Sequence, residues 1–477
     1  MRSLLLPVML SLSTGAVHAQ QQNHSLIVSP DIGFVLQNTA APLGLIDDQE
    51  SLITTPSASA PYQAHPFRTF TTINVMQGDG DNDSQLADTD RYGDLNMLMI
   101  RRRPPHAETG PFEPGSLWMS HSFNLAGAVA TSTGIQQLQD GDVYRCRNGV
   151  NEFFVREPDL SAALPPGGLD IDLDCMVQDR NGDLYFSLWE SISYSTSTAT
   201  STYYDGDLMY IPANAITYDA NGLITAIQPN SALVFAKELD FSGMIRNSGA
   251  VSQTGGALTS IGDLGALDLD PNGGTWISPI LGIQAPNFVF ASNFASRFDN
   301  LWTTANGGQL ATINGKTMGY LAPSFADGSV LGVGVLPGQD GVNALVIVPE
   351  QHDWIAIDQP QSGLPVNGVF SVQFGRCQPG SAVTVLMSIW NNDMPGGWVT
   401  SLPMPISLGG NSLLELDIMT MTSVTTLPVD ASGYASLSFN DPGGVPPGLE
   451  LLIQAVGHPY GAIFPIALSS TSNITFP

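Results

Sequence analysis

Four segments of this chain begin alike, and that repetition limits the fold more than any other feature of the sequence. They are Asp94-Leu-Asn-Met-Leu-Met-Ile, Asp170-Ile-Asp-Leu-Asp-Cys-Met, Asp263-Leu-Gly-Ala-Leu-Asp-Leu and Gly341-Val-Asn-Ala-Leu-Val-Ile, spaced by 76, 93 and 78 residues. Each is short, apolar and followed by a turn. After the turn comes a second run: Leu117-Trp118-Met119-Ser120, Leu184-Tyr185-Phe186-Ser187, Thr275-Trp276-Ile277-Ser278 and Asp353-Trp354-Ile355-Ala356. An aromatic, a large apolar and a small residue recur in that order. Such runs, punctuated by Gly, Pro, Asn and Asp, predict many short strands rather than helices.

The turns carry their own mechanism. Asp179-Arg-Asn181-Gly182-Asp183 and Asp270-Pro-Asn272-Gly273-Gly274 contain Asn-Gly, which tolerates positive φ. Third strands are expected at Asp140-Gly-Asp142-Val-Tyr and Asp205-Gly-Asp207-Leu-Met-Tyr, and a fourth at Ala232-Leu-Val-Phe-Ala236. Four antiparallel strands per repeat is the composition of a propeller blade. The repeats exceed the roughly 40–50 residues of familiar blades, and part of the excess lies in loops such as the Ser/Thr run 193–202. Asp31-Ile-Gly-Phe-Val-Leu36 reads as a worn fifth copy. The expected fold is all-β: a propeller-like repeat domain of about four to six blades over residues 20–359, then a β-sandwich over 360–477. In the latter, strands are expected at 369–374, 382–389, 413–419, 434–439, 449–456 and 463–468.

The first 19 residues read as an export signal. Arg2 gives the positive start, Leu4 to Leu12 a short apolar run, and Ala19 a small residue at the cleavage position. Nine residues are too few to span a bilayer. The protein is therefore expected outside the cytoplasm, secreted or at the cell surface or in the periplasm. With 43 acidic and 15 basic residues the net charge is −28, which repels nucleic acid and anionic membranes and attracts divalent cations. Cys146 and Cys175 fall in predicted strands of one repeat region and could pair after export, leaving Cys377 over.

The best candidate metal site is the acidic loop from Asp79 to Asp90. Calcium takes six to eight oxygens, and carboxylates at loop positions 1, 3, 5 and 12 can wrap one ion. Those positions are Asp79, Asp81, Asp83 and Asp90, with the Gln85 carbonyl at position 7. Ser84 stands where the usual loop has Gly, and Asp90 is shorter than the usual Glu. A second constellation is the repeated Asp94, Asp170 and Asp263, with Asn96, Asp172 and Asn343 two positions on. In a propeller these could ring the central channel, or they could simply cap backbone N–H groups at strand starts. Gly315-Lys316-Thr317 resembles the end of a phosphate loop, but Leu310 stands where Gly is needed. Arg101-Arg102-Arg103 reads as a solvated patch or protease-sensitive turn. Trp118, Tyr185, Trp276 and Trp354 are expected to pack between blades rather than form a sugar-binding stripe.

The runs "GSLWMSHSF", "DGDVYRC", "LDIDLDC…NGDLYFSLWES" and "GDLGALDLD", with the tail "DASGYASLSFNDP…GLELLIQAVG…ALSS", resemble secreted propeller-like repeat proteins of environmental bacteria that carry a C-terminal sandwich domain. The resemblance implies an exported β-protein and supplies no activity. The expected role is non-enzymatic extracellular binding or adhesion to a protein or glycan, with calcium as a stabilising ion. The rival is an exported metal-dependent hydrolase, lactonase-like or glycan-active, on the same scaffold. Three or more carboxylates converging on one point would favour the rival.

Overall fold

A computed structural model describes residues 23–30, 34–35, 45–46, 50–54, 64–69, 95–108, 117–121, 128–131, 134–147, 150–195, 200–247, 264–292, 300–318, 342–349, 355–358, 369–390, 406–407, 413–414, 416, 421–440, 450–459, 466–469 and 472–475. The export segment and the acidic loop 79–90 lie outside them. So do Asp94, Asp263, Trp354 and the side chain of Cys146. Among the described residues the structure is mostly β-strand, with two α-helices. Neither helix is long and apolar enough to cross a membrane.

The chain begins with β1 (His24–Pro30), β2 (Glu50–Thr54) and β3 (Ala64–Thr69), which lie side by side in that order. A first sheet follows: β4 (Leu95–Met99), β5 (Trp118–His121), β6 (Ala128–Thr131), β7 (Gly134–Gln137), β8 (Val143–Arg147) and β9 (Val150–Val155), in the order β4-β5-β8-β9-β6-β7. Helix α1 (Glu157–Ala163) leads to a second sheet. Its strands β10 (Leu173–Gln178), β11 (Leu184–Leu188), β12 (Leu208–Ile211) and β13 (Leu233–Ala236) pair in chain order. After α2 (Glu238–Asn247), β14 (Ala266–Leu269) starts a third sheet. A separate hairpin, β15 (Thr275–Ile277) with β16 (Gln284–Pro286), intervenes before β17 (Phe288–Ala291), β18 (Trp302–Thr303) and β19 (Gln309–Leu310) complete it. Finally β20 (Val342–Pro349) runs antiparallel to β1, so the fourth sheet has the order β20-β1-β2-β3.

All four repeat starts thus supply the edge strand of a four- to six-stranded sheet. These strands neighbour one another cyclically: β4 lies beside β10 and β20, and β14 lies beside β10 and β20. Side-chain alternation explains the packing, because successive residues of a strand face opposite sides. On β1, Leu26 and Val28 join Ala266, Val289 and Leu345 in one cluster, while Ile27 joins Leu95, Leu98, Met119 and Val346 in another. Met97, Met99 and Trp118 meet Met176 and Phe186 between the first and second sheets. Val177 and Tyr185 meet Leu267 and Phe288 between the second and third.

Two second strands differ from the sequence reading. In the third repeat, β14 pairs with Phe288–Ala291, not with Thr275–Ile277. Trp276 therefore sits on the side hairpin, half-buried, with its ring edge-on to Phe235 at 5.3 Å and Phe241 at 5.7 Å. In the fourth, the partner of β20 is β1, so the first described strand completes a repeat, and among the described residues Phe34–Val35 pairs only with Leu45–Ile46. The expected run around Trp354 goes elsewhere: Ile355 bridges Ser469, and β21 (Ala356–Asp358) joins β22 (Val369–Gly375).

Among the described residues the C-terminal region has a short pair, Ile406–Ser407 with Leu413–Leu414, and two larger sheets. One is β21-β22-β25, where β23 is Ala382–Trp390, β24 is Thr422–Pro428 and β25 is Ala435–Asn440. The other is β24-β23-β26-β27, with β26 (Glu450–Gly457), β27 (Ala467–Leu468) and β28 (Ser472–Thr475) pairing with β26. Val372 and Phe374 of one meet Val383, Val385, Ile453 and Ala455 of the other in a common core. Thr422–Pro428 was not expected as a strand, because its Thr-rich sequence leaves most of its residues exposed.

The three consecutive arginines each have a partner and are at least half-buried, unlike a solvated patch. Arg101 binds the Glu108 carboxylate, Arg102 Nη2 donates to both Asp268 oxygens at 2.6 and 2.7 Å, and the Arg103 guanidinium lies 4.2 Å from the Tyr218 ring centre.

Candidate functional site

A shared backbone irregularity positions the polar centre of the repeat region. The register of β4 skips from Leu95 to Met97, that of β10 from Leu173 to Cys175, and that of β20 from Val342 to Ala344. The skipped residues are Asn96, Asp174 and Asn343. A bulge re-aims one side chain, and here it does so three times with an amide or carboxylate, all fully buried. Their neighbours across the strands are Ser120, Ser187 and Ser29. This register also corrects the sequence alignment: Asp174, not Asp172, is the counterpart of Asn96 and Asn343, so Asp172 rather than Asp170 corresponds to Asp94.

Asn343 and Asn96 form a line that continues to Asp172. Asn343 Nδ2 donates to Asn96 Oδ1 at 3.3 Å, and Asn96 Nδ2 donates to Asp172 Oδ1 at 3.4 Å. Burial pushes the Asp172 carboxyl up to about 9, and the Asp140 charge adds to it.

Beyond Asp172 the line opens into three further carboxylates. Asp140 lies in the turn before β8, Glu157 is the first residue of α1, and Asp170 lies in the loop before β10. One oxygen from each lies within 4.8 Å of the other two. Glu157 is buried, Asp140 half-buried and Asp170 exposed. Gly141 makes the approach possible: a Cβ there would stand 2.5 Å from Glu157 Cγ and 2.6 Å from the Ile171 carbonyl oxygen. The helix start is fixed by Asp142, whose Oδ1 accepts from Glu157 N and Arg156 Nε, each at 2.8 Å. Ser120 Oγ donates to the Asp140 carbonyl at 2.6 Å.

The electrostatics follow from like charges taken out of water. Burial, and then the Asp140 charge, pushes the Glu157 carboxyl up to about 8. Burial also raises Asp140. Glu157 Oε1 accepts weakly from Ile171 N at 3.5 Å, while among the described residues the buried Oε2 meets no N–H or hydroxyl donor, and the Asp140 carboxyl is the side chain within reach of this group. Such a group is neutralised by a shared proton or by a cation. An all-oxygen set of carboxylates suits a hard divalent ion.

Of the sequence candidates, the structure joins Asn96, Asp172 and Asn343 in one line and sets Asp170 against Asp140 and Glu157, which it adds. Glu157 carried no signal, because it sits in a short helix between strands. The loop candidates Asp79, Asp81, Asp83, Gln85 and Asp90 lie outside the described residues. Cys175 is buried with Sγ 2.9 Å from Ser187 Oγ.

No known protein family matches the sequence, and no curated protein matches it. Among solved structures, the chain is similar to the extracellular domain of a putative hybrid two-component system from B. thetaiotaomicron. The identity is 9%, the TM-score 0.20, and the match covers 90% of this chain and 68% of that one. It is also similar to the native conformation of E. coli alpha-2-macroglobulin, at 10% identity and a TM-score of 0.17, covering 95% and 37%. Similarity this slight carries no argument about fold or function.

Proposed function

We propose that the protein is an exported extracellular binding protein. Its repeat region is a four-bladed propeller of the kind the sequence resembles, and its C-terminal region is a β-sandwich. One observation carries the scaffold: the four edge strands neighbour one another in a cycle, and the first strand of the region completes the sheet of the last. The binding face is the end of the ring where the buried polar line meets solvent at Asp172 and Asp170, carboxylates braced from behind by Asn96 and Asn343 and suited to a hydroxyl-rich or cationic ligand. A panel of purified polysaccharides tests this with the calcium-loaded protein. Retention on at least one of them, lost in Asn96→Ala, supports the reading; retention unchanged in that variant moves the binding face elsewhere.

The second reading, a metal-dependent hydrolase, is favoured by the convergence of Asp140, Glu157 and Asp170. Turnover of lactone, ester or glycoside substrates that disappears on chelation would establish it in place of simple binding.

A further inference from the structure

We infer that Asp140, Glu157 and Asp170 form a calcium site, distinct from the acidic loop 79–90. The inference does not depend on the binding reading, because it rests on three local segments: the turn before β8, the start of α1 and the loop before β10. Calcium binds oxygens at about 2.3–2.6 Å, so two ligands on opposite sides of one ion stand roughly 4.6–5.2 Å apart. The three carboxylate oxygens all lie within 4.8 Å of one another and can therefore contact a single ion without rearrangement of the backbone.

A second observation points to a ligand rather than to a solvated cluster. Glu157 is 4% exposed, and among the described residues its Oε2 meets no N–H or hydroxyl donor, its polar neighbour being the Asp140 carboxyl. A buried carboxylate beside two other carboxylates is costly unless something positive meets it. The exposure is graded in the way a calcium site needs. Glu157 forms the closed wall, Asp140 the side, and exposed Asp170 the mouth through which the ion enters and water completes its coordination. Gly141 serves the same end, since any side chain there would strike Glu157. The repeat supplies an internal comparison. Asp205-Gly-Asp207 in the turn before β12 and Glu238 at the start of α2 correspond to Asp140-Gly-Asp142 and Glu157, but Glu238 is only half-buried and no cluster forms around it among the described residues.

The test uses the full chain carrying Asp79→Asn and Asp83→Asn, stripped with chelator, so that the acidic loop cannot contribute. Calcium is then added, and both bound ion by equilibrium dialysis and the melting temperature are read. One calcium per chain and a melting temperature that rises with calcium concentration are expected. Glu157→Gln and Asp170→Asn should each weaken binding at least about 100-fold, more than loss of an outer partner does. Asp170 is exposed, so its variant folds even if the Glu157 variant does not. No bound calcium in the Asp79/Asp83 background overturns the inference and leaves a proton shared between Asp140 and Glu157. Calcium binding that Asp170→Asn and Glu157→Gln both leave intact overturns it equally, by placing the ion elsewhere.

Discussion

Asp172 accepts a hydrogen bond from Asn96 and stands among like charges, and burial raises its carboxyl to about 9. The sign of the resulting pH dependence is fixed. A carboxyl whose folded value exceeds its ordinary value of about 4 holds a proton that the unfolded chain has lost, so stability falls as pH rises between the two. In chelator, the urea midpoint should be lower at pH 9 than at pH 5, and Asp172→Asn should flatten that slope. A slope as steep in the variant as in the parent would put its source elsewhere. At the same scale, Trp118 is fully buried, with the Arg145 and Arg101 guanidiniums 4.2 and 5.2 Å from its ring centre and Nε1 donating to Glu108. Trp118→Ala should cost about 3–5 kcal/mol. The half-buried Trp276 should cost less, about 1.5–3 kcal/mol. Chemical denaturation of the two variants gives the order, and the reverse order would contradict the strand assignment.

At the scale of elements, one device is used twice. Asp142 ties Arg156 and the start of α1 to the turn before β8; Asp207 ties Lys237 and the start of α2 to the turn before β12, with Nζ at 2.7 Å and Glu238 N at 3.0 Å. Both aspartates are fully buried. Asp207→Ala should cost about 2–3 kcal/mol, the range for lost hydrogen bonds to a charged group, and thermal melts of the variant check it. The repeated Asp-Gly-Asp was readable because both aspartates precede an apolar run, and the edge strands were readable because each starts an unbroken one. Turns were readable too: Asp179 Oδ1 accepts from Asn181, Gly182 and Asp183 amides, and the positive φ falls on Gly182. The third repeat misled because Thr275-Trp276-Ile277-Ser278 copies the second-strand pattern while lying on an inserted hairpin. The acidic cluster was hidden for another reason. Its members come from three segments, and only the packing of α1 against the turn at Gly141 makes them neighbours.

At the scale of the molecule, the repeat region depends on a contact between its two ends. β1 runs antiparallel to β20 from His24↔Pro349 to Pro30↔Val342 and also pairs with β2, and its Leu26, Ile27 and Val28 are buried in two different inter-sheet cores. A reading in chain order could not see this, because the second strand of the fourth repeat precedes the first repeat. On the proposed propeller reading, stability rests on this contact: a repeat unit left at an open end exposes the apolar face its neighbour would cover. Ser29 and Ala344 face each other across this pairing. Opposed residues of an antiparallel pair have Cα atoms about 4.5–5.5 Å apart, within the span of a disulfide. Ser29→Cys with Ala344→Cys should therefore crosslink in the folded protein on mild oxidation, identified by mass spectrometry of a non-reduced digest. The bond would close nearly the whole repeat region and raise stability by at most about 5 kcal/mol, seen as a higher melting temperature that reductant reverses. If the two cysteines stay reduced in the native protein and join only after denaturation, β1 does not close the ring.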